Sequence, residues 1–180
     1  EVTGELRLSD RMINLVEEGV DLAVRIGHLA DSSLVARVVG DMRRMVVVSP
    51  DYLAQHGEPQ RPGDIAAHQT VHFGAVSAVP DWRFIEDGRE VRVTCTPRFF
   101  SNSSEAAIWH AEHGGGLTRV LAYQAADAIA AGRLRPVLTA FEPPPLPIHI
   151  IYPTSRLLSA KVRTFVDLAL EITDWHFSAR

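Results

Sequence analysis

The sequence contains little sulfur and no long hydrophobic run. Cys95 is the only cysteine among 180 residues, which excludes an internal disulfide and leaves too few thiolates for a cysteine-based zinc site. No segment approaches the roughly 18 uninterrupted apolar residues of a membrane helix, and residues 1–9 carry charges where a signal peptide would have its apolar core. We therefore expect a cytoplasmic chain without a membrane segment.

A basic surface for nucleic acid is also missing. The chain has 18 basic and 22 acidic residues, a net charge of −4. Its short arginine clusters, around residues 43–44, 133–135 and 156–163, are interrupted by apolar residues. Because phosphate contacts need concentrated Lys and Arg, these clusters are predicted to be ordinary solvated faces. We expect no DNA binding by this chain itself.

Motifs for catalysis, nucleotides and metals are absent too. No Gly-x-Ser-x-Gly sequence marks a hydrolase, and the glycines at 114–116 end a helix pattern instead of opening one after a strand. His110 and His113 lie three residues apart on one predicted helix face, but no third ligand has suitable spacing. The sequence thus predicts no catalytic residue, no metal and no cofactor.

Apolar residues make up 46% of the chain, enough for a substantial core, and their spacing alternates between helix and strand. Residues 10–18 have helical spacing that ends at Gly19. The runs Val20–Ile26 and Met45–Val48 are typical of strands that helices bury on both faces. Ser49-Pro50 predicts the start of a short helix. These elements indicate an α/β fold.

The middle of the chain has a different pattern. Residues 82–86 and 89–96 flank Asp87-Gly88, and Val91, Val93 and Cys95 alternate with polar residues. This is the signature of a β-hairpin.

A helix with a polar start is predicted after the hairpin. Asn102 and Glu105 have the cap-x-x-Glu spacing, so Asn102 is the predicted cap. The free N–H groups and partial positive charge of such a start attract anions, and hydroxyls at Ser101, Ser103 and Ser104 surround it. The alternative, that the cap residues satisfy those donors themselves, stays open.

The end of the chain contains a proline-rich connector, residues 143–147, which predicts a crossing between two lobes. A strand is expected at His149–Tyr152. The last helix is predicted to begin after Ser159 and to bury one apolar stripe, formed by Val162, Phe165, Val166, Ala169 and Ile172.

Several segments resemble, in their order, the effector-binding domain of LysR-type transcriptional regulators. They are residues 8–11 (LSDR), 15–27 (LVEEGVDLAVRIG), 31–37 (DSSLVAR), 48–53 (VSPDYL), 116–121 (GLTRVL), 152–153 (YP) and 158–163 (LSAKVR). No segment is decisive alone, but their joint order is highly specific.

The resemblance implies an α/β, two-lobe, periplasmic-binding-protein-like (type 2) fold with two crossing strands. The first lobe would contain residues 1–72 and 148–180, and the second residues 73–147. Full-length regulators of this family carry an N-terminal winged helix-turn-helix, a linker helix, and then a first strand and helix of the sensing domain. We expect this chain to be a fragment that starts after all of them.

The resemblance further implies an allosteric sensor, not an enzyme, that holds a small effector between the lobes and thereby controls DNA binding by the N-terminal domain. The full-length protein would be a homodimer or homotetramer. Arg25 and the serine-rich helix start favour an organic anion, and Ser9 matches a position that contacts effector in the family. The predicted effector-binding residues are Ser9, Arg25, Asn102, Ser103, Gly116 and Thr118. The alternative is a transport solute-binding protein, which would need an export signal.

Overall fold

A computed structural model of the chain describes residues 3–9, 13–29, 34–74, 81–156 and 159–177. The chain divides into two compact units, Glu1–Met42 with Pro145–Arg180, and Arg43–Pro144. It therefore passes between the units twice. The second unit begins at Arg43 and not at the expected residue 73, because the strand that follows Arg43 pairs with strands from the second half of the chain.

Ten strands and four α-helices are present in the described residues. The strands are β1 (Ala23–Ile26), β2 (Leu34–Met42), β3 (Arg44–Val48), β4 (Thr70–Phe73), β5 (Asp81–Glu86), β6 (Arg89–Thr94), β7 (Pro97–Ser101), β8 (Leu117–Leu121), β9 (Arg135–Val137) and β10 (Leu146–Pro153). The α-helices are α1 (Pro50–His56), α2 (Ser104–Glu112), α3 (Ala122–Ala130) and α4 (Ala160–Ile172), and short 3-10 helices span Pro62–Ala67, Thr139–Phe141 and Thr154–Arg156. The predicted α/β class is confirmed.

The first unit contains a three-stranded antiparallel sheet in the order β1-β10-β2. β10 lies at its centre, and Ile150 packs with Val162 and Val166 of α4. β1 is an edge strand of this sheet, and Val24 remains 46% exposed. The prediction of a strand buried on both faces was therefore wrong for β1, which has β10 as its one neighbour among the described strands.

The helix predicted over residues 10–18 is not formed in its described part, and residues 10–12 lie outside the described residues. Residues 15–19 form hydrogen-bonded turns. The Asn14 carbonyl accepts the Glu18 N–H at 3.0 Å, and its side-chain Oδ1 accepts a further backbone N–H at 3.1 Å. An Asn side chain that binds the local backbone favours a turn over a continuing helix.

The second unit contains a five-stranded mixed sheet in the order β7-β4-β8-β3-β9. β4 is parallel to β7 and β8, whereas β3 is antiparallel to β8 and β9. β5 and β6 form the predicted hairpin. Asp87 and Gly88 have φ values of +50° and +73° at its turn, as a tight hairpin turn requires.

The hairpin closes one face of this mixed sheet over a continuous apolar core. That core contains Val46, Val48, Tyr52, Leu53, Ile65, Trp82, Phe84, Val93, Cys95, Leu117, Val137 and Leu138. α2 packs on the opposite face, where Phe99 of β7 stacks on His110 at 4.4 Å between ring centroids. The two faces of β8 therefore meet different partners, the hairpin on one side and α2 on the other.

The predicted helix after Ser49 is confirmed as α1, where the Ser49 hydroxyl accepts the Tyr52 N–H at 3.4 Å. α4 agrees with the predicted last helix only in part. Val162 and Val166 are buried, but Phe165 and Ile172 are 48% and 70% exposed. The buried stripe of α4 is therefore narrower than the sequence pattern predicts.

Candidate functional site

The start of α2 is built around two serines. The Ser103 hydroxyl accepts the Ala106 N–H at 3.3 Å, so Ser103 is the N-cap. Ser101 holds this cap in place, because its hydroxyl accepts the Ser103 N–H at 3.0 Å and donates to the Ser103 carbonyl at 3.1 Å. The prediction that Asn102 is the cap was wrong by one residue. Asn102 is exposed in the bend before the helix.

Two backbone donors remain at this helix start. Within the described residues, nothing accepts the N–H groups of Ser104 and Glu105, whereas the Ala106 N–H is satisfied by the cap and the Ala107 N–H by the Ser103 carbonyl at 3.2 Å. Unpaired N–H groups and the helix dipole favour a negative group at this position. The open alternative is therefore half answered, because Ser103 satisfies two of the four donors and two remain.

The helix start lies at the ligand-binding edge expected of an α/β sheet. β4 and β7 are parallel, and they end side by side at Phe73 and Ser101. Asn102 follows Ser101 directly. Ligands of open α/β sheets bind outside the carboxyl ends of parallel strands. This edge therefore combines a favourable topology with free donors.

Gly116 and Thr118 lie away from this edge. β8 starts beside Thr70 at the amino ends of the parallel strands, and Gly116 precedes it with φ +113° against the Gln69 backbone. Thr118 is fully buried, and its hydroxyl donates to the Val71 carbonyl at 3.1 Å. Both residues have a structural role, and the structure does not bring them together with Asn102.

Ser9 and Arg25 belong to the first unit. Ser9 is exposed in the irregular segment 3–9, and Arg25 lies on β1 opposite His149, where it is half-buried. Their predicted contact with an effector stays a prediction.

Arg119 is the charged residue of strand β8, whose other residues are Thr118 and three apolar residues. Its guanidinium lies 5.6 Å from the centroid of the Trp82 ring and donates to the Asp81 carbonyl at 3.0 Å. Burial, together with the neighbouring positive charges of Arg44 and Arg83, lowers the pKa of Arg119 to about 10. The hairpin residues that surround Arg119 are far from it in sequence.

His72 lies beside Arg119 on the neighbouring strand β4. Neither ring nitrogen of His72 has a hydrogen-bond partner among the described residues, although both are buried. Burial lowers the pKa of His72, and the Arg119 charge adds to this effect. The ring contacts Phe100 edge-on, with 5.8 Å between centroids. Both effects favour the neutral form of the His72 ring.

Comparison with known proteins identifies the family. The family model of the LysR substrate binding domain matches residues 1–173. The chain belongs to this family. An HTH-type transcriptional repressor of Pseudomonas aeruginosa is 34% identical over 172 residues, which are 93% of this chain and 54% of the repressor. The regulator CrgA of Neisseria meningitidis is 32% identical over 165 residues.

Solved structures of LysR-type regulators share the fold. The CrgA regulatory domain has a TM-score of 0.78 and 31% identity, and the match covers 91% of this chain and 80% of that domain. Full-length AphB of Vibrio cholerae has a TM-score of 0.79 and 25% identity, with 93% and 57% covered. The chain is thus the effector-binding domain of a LysR-type regulator with the predicted type 2 fold, and its relatives are transcriptional regulators, not transport proteins. It spans about half the length of the curated relatives it matches.

The sequence did not single out Arg119 or His72 of this LysR domain. A usable signal was present in the strand residues Leu117–Leu121, because a lone charge in a buried strand needs a specific environment. The pair Arg43-Arg44 was assigned to a solvated face. Arg43 instead forms a bidentate ion pair with Glu142, with both N–O distances at 2.9 Å.

No metal-binding cluster of three or more His, Cys, Asp or Glu occurs in the described part of the LysR domain. His110 stacks on Phe99, and His113 stacks on Trp109 at 4.2 Å, so the two rings have different aromatic partners. Among the described helices, none is both long and apolar enough to span a bilayer.

The first unit of the LysR domain has a small surface cavity of about 120 Å³ between α4 and the sheet. Its lining residues are Arg37, Tyr152, Val162, Arg163, Val166 and Asp167. Typical ligand sites enclose about 300–1,000 Å³. The cavity is therefore smaller than a typical effector site.

Proposed function

We propose that this domain binds a small organic anion and that the full-length regulator uses this binding to control transcription. The match of the LysR family model to residues 1–173 carries the proposal. In the full-length protein, DNA contacts would come from a helix-turn-helix domain outside this chain, and the regulator would work in the cytoplasm as a homodimer or homotetramer. The domain itself catalyses no reaction.

The start of α2 is the proposed effector site. A carboxylate there would accept hydrogen bonds from the N–H groups of Ser104 and Glu105, which have no acceptor among the described residues. Asn102 is exposed beside them and supplies an amide for a second polar contact. Ser103 positions the donors as the N-cap. Charge-assisted hydrogen bonds of this kind are among the stronger polar contacts in proteins.

Effector binding alone does not regulate. An effector shifts a conformational equilibrium only by its difference in affinity for the two states, and a coupling of about 1–3 kcal/mol is typical of allosteric proteins. We therefore propose that the effector binds one arrangement of the regulator more tightly than the other, and that this difference controls its DNA-binding domains.

A charge placed beside the free donors tests the site. Panels of small organic acids and their uncharged amides are screened by thermal shift on this chain, and acids that stabilise it are titrated by calorimetry. Asn102→Asp should weaken binding of these acids at least about tenfold, because its carboxylate competes for the donors and repels an anion. Its thermal stability should be retained, since an acidic residue near a helix N-terminus is favourable.

The matched control is Gln55→Glu, which adds the same charge on the exposed side of α1. Its affinity for the acids should equal that of the unmodified chain. Equal stabilisation by acids and amides, or equal affinity in Asn102→Asp, would contradict this placement of the site.

A further inference from the structure

We propose that residues 174–177 (DWHF), here called the strap, are a releasable segment that fixes strand β2 where the chain leaves the first unit. The strap follows α4 and lies beyond residues 1–173, which the LysR family model matches. All of its contacts described below are within the first unit, so its release is independent of the effector site at α2.

The strap pairs with β2 as a short parallel strand. The Asp41 N–H donates to the Trp175 carbonyl at 3.1 Å, and the Asp41 carbonyl accepts the Phe177 N–H at 2.9 Å. His176, between them, forms a parallel bridge with Asp41, and its Nδ1 lies 3.0 Å from the Asp41 Oδ1. β2 is an edge strand of its three-stranded sheet, so the strap extends this sheet by one short strand.

Gly40 makes room for the strap. A Cβ at this position would overlap the backbone carbonyl and the Cβ of Trp175. Gly40 does not have a left-handed φ, so the close approach of Trp175 is what requires glycine here. Trp175 is also bound to α4, because its indole Nε1 donates to the Ala169 carbonyl at 2.9 Å. Specific contacts to β2 and to α4 therefore hold the strap.

The strap contacts β2 beside the first crossing between the units. Met42, the residue after Asp41, is the last residue of the first unit, and it pairs with Leu146 of β10. Val39 is left without a Cα partner in the register of these two described strands, so a bulge separates the last three residues of β2 from the rest of the strand. Opposite Asp41, β10 has Pro147, which lacks an N–H. The strap therefore supplies pairing at the end of β2 that β10 does not.

The contacts of the strap are few and accessible to water. The side chains of His176 and Asp41 are 70% and 33% exposed, so water competes with their contact, and Trp175 and Phe177 are only half-buried. Segments with few buried contacts open locally at a lower free energy than global unfolding requires. The strap therefore opens while the rest of the first unit stays folded.

Release of the strap loosens the crossing. Hinges are formed by a few residues at the ends of elements that absorb changes in φ and ψ, and Met42 and Arg43 are such residues between β2 and β3. In a sensor that changes its arrangement, the strap would set the free-energy cost of that change. This consequence rests on the proposed function, whereas the release of the strap does not.

Amide hydrogen exchange of the ¹⁵N-labelled chain, without any added ligand, tests the proposal. Gly40→Ala displaces the strap without changing a strap residue, because the new Cβ meets the Trp175 backbone. Exchange should accelerate about tenfold at Asp41 and also at Met42 and Leu146 of the crossing, as the loss of one or two hydrogen bonds implies. Amides of β3 and β8 in the second unit should exchange as before.

Two further variants make the test specific. Gly63→Ala is the matched control, because Gly63 has open space around it and no left-handed φ, and it should leave exchange at the crossing unchanged. His176→Ala removes the side-chain contact with Asp41 but keeps the backbone bridge. Its acceleration at Met42 and Leu146 should be smaller, about threefold. Far-UV circular dichroism verifies that each variant is folded.

Faster exchange confined to Asp41 and Phe177 would overturn the proposal, because the strap would then be a local contact without effect on the crossing. Equal exchange in Gly40→Ala and Gly63→Ala would overturn it as well. Loss of the fold in Gly40→Ala, or uniformly faster exchange throughout the first unit, would show that the strap is an inseparable part of that unit. None of these results bears on the proposed effector site at α2.

Discussion

Arg43 and Glu142 join the two points at which the chain enters and leaves the second unit. Arg43 is the first residue of that unit and Glu142 lies two residues before its end at Pro144. The Arg43 guanidinium donates two hydrogen bonds to the Glu142 carboxylate, from Nε to Oε2 and from Nη2 to Oε1, both at 2.9 Å. The side chains are only 26% and 14% exposed, so water competes weakly for this pair.

Breaking this pair should destabilise the chain. Glu142→Gln should lower the free energy of unfolding by about 1–3 kcal/mol, the usual range for hydrogen bonds to charged groups. The control is Glu90→Gln, which breaks an exposed pair with Arg92 and should cost below about 1 kcal/mol. Urea denaturation measures both variants. An equal loss in the two would show that the Arg43 pair contributes no more than a surface contact.

The cap of α2 can be tested by comparing adjacent residues. Ser103→Ala should cost about 1 kcal/mol of unfolding free energy, because the Ala106 N–H loses its acceptor. Asn102→Ala should cost less, since Asn102 does not cap the helix. Chemical denaturation of the two variants decides the point, and a larger loss for Asn102→Ala would restore Asn102 as the cap.

Gly116 should tolerate no side chain. Its φ is +113°, and an added Cβ would collide with the Gln69 backbone. Gly116→Ala should lose more than about 3 kcal/mol, as strain and overlap add. Gly114→Ala is the matched control, because Gly114 has φ +79° but open space around it, so only the backbone strain applies. Similar melting temperatures for the two variants would argue against the close packing at Gln69.

Cys95 should be unreactive in the folded chain. Burial raises the pKa of its thiol to about 12, and the residue is only 5% exposed. Labelling with a thiol reagent at pH 8 should be slow in buffer and fast in urea, because the thiolate is the reactive form. Since the folded pKa is raised, stability should also fall as the pH rises from about 9 to about 12. Rapid labelling under native conditions would contradict the buried position.

His72 should make the chain less stable in acid. Its folded pKa is lowered, so below pH 6.5 the unfolded chain binds a proton that the folded chain does not. Stability should therefore decrease as the pH falls through 6.5 toward the folded pKa. His72→Phe removes this titration while keeping a ring against Phe100, so its loss of stability between pH 7.5 and 5.5 should be smaller. An equal loss of stability between pH 7.5 and 5.5 in the variant and the unmodified chain would exclude His72 as the source of the acid sensitivity.

Local patterns predicted much of the fold. Met45–Val48 became the buried part of β3, and Asp87-Gly88 became the hairpin turn, because both depend on a few neighbouring residues. The cap of α2 was misplaced because Asn102 and Ser103 are both good cap residues. Which of the two caps the helix depends on Ser101, whose hydroxyl bonds to the Ser103 backbone and holds Ser103 in place.

Contacts between residues far apart in sequence determine the features of the fold that the sequence did not predict. The second unit begins at Arg43 because β3 pairs with β8 and β9, which lie more than 60 residues later in the chain. The environment of Arg119 depends on Trp82 and Asp81 in the hairpin. Effector residues at Gly116 and Thr118 were assigned from a matching segment, and their structural roles became apparent only with the positions of Gln69 and Val71.

Amide chemical-shift mapping tests the central claim most directly. An organic acid that stabilises the ¹⁵N-labelled chain is titrated while the backbone amides are followed by NMR. The account predicts saturable shifts that are largest at Ser104 and Glu105, because their N–H groups would donate to the carboxylate. Largest shifts instead at the small cavity near Arg37 and Tyr152, or no saturable shift at the start of α2, would contradict it.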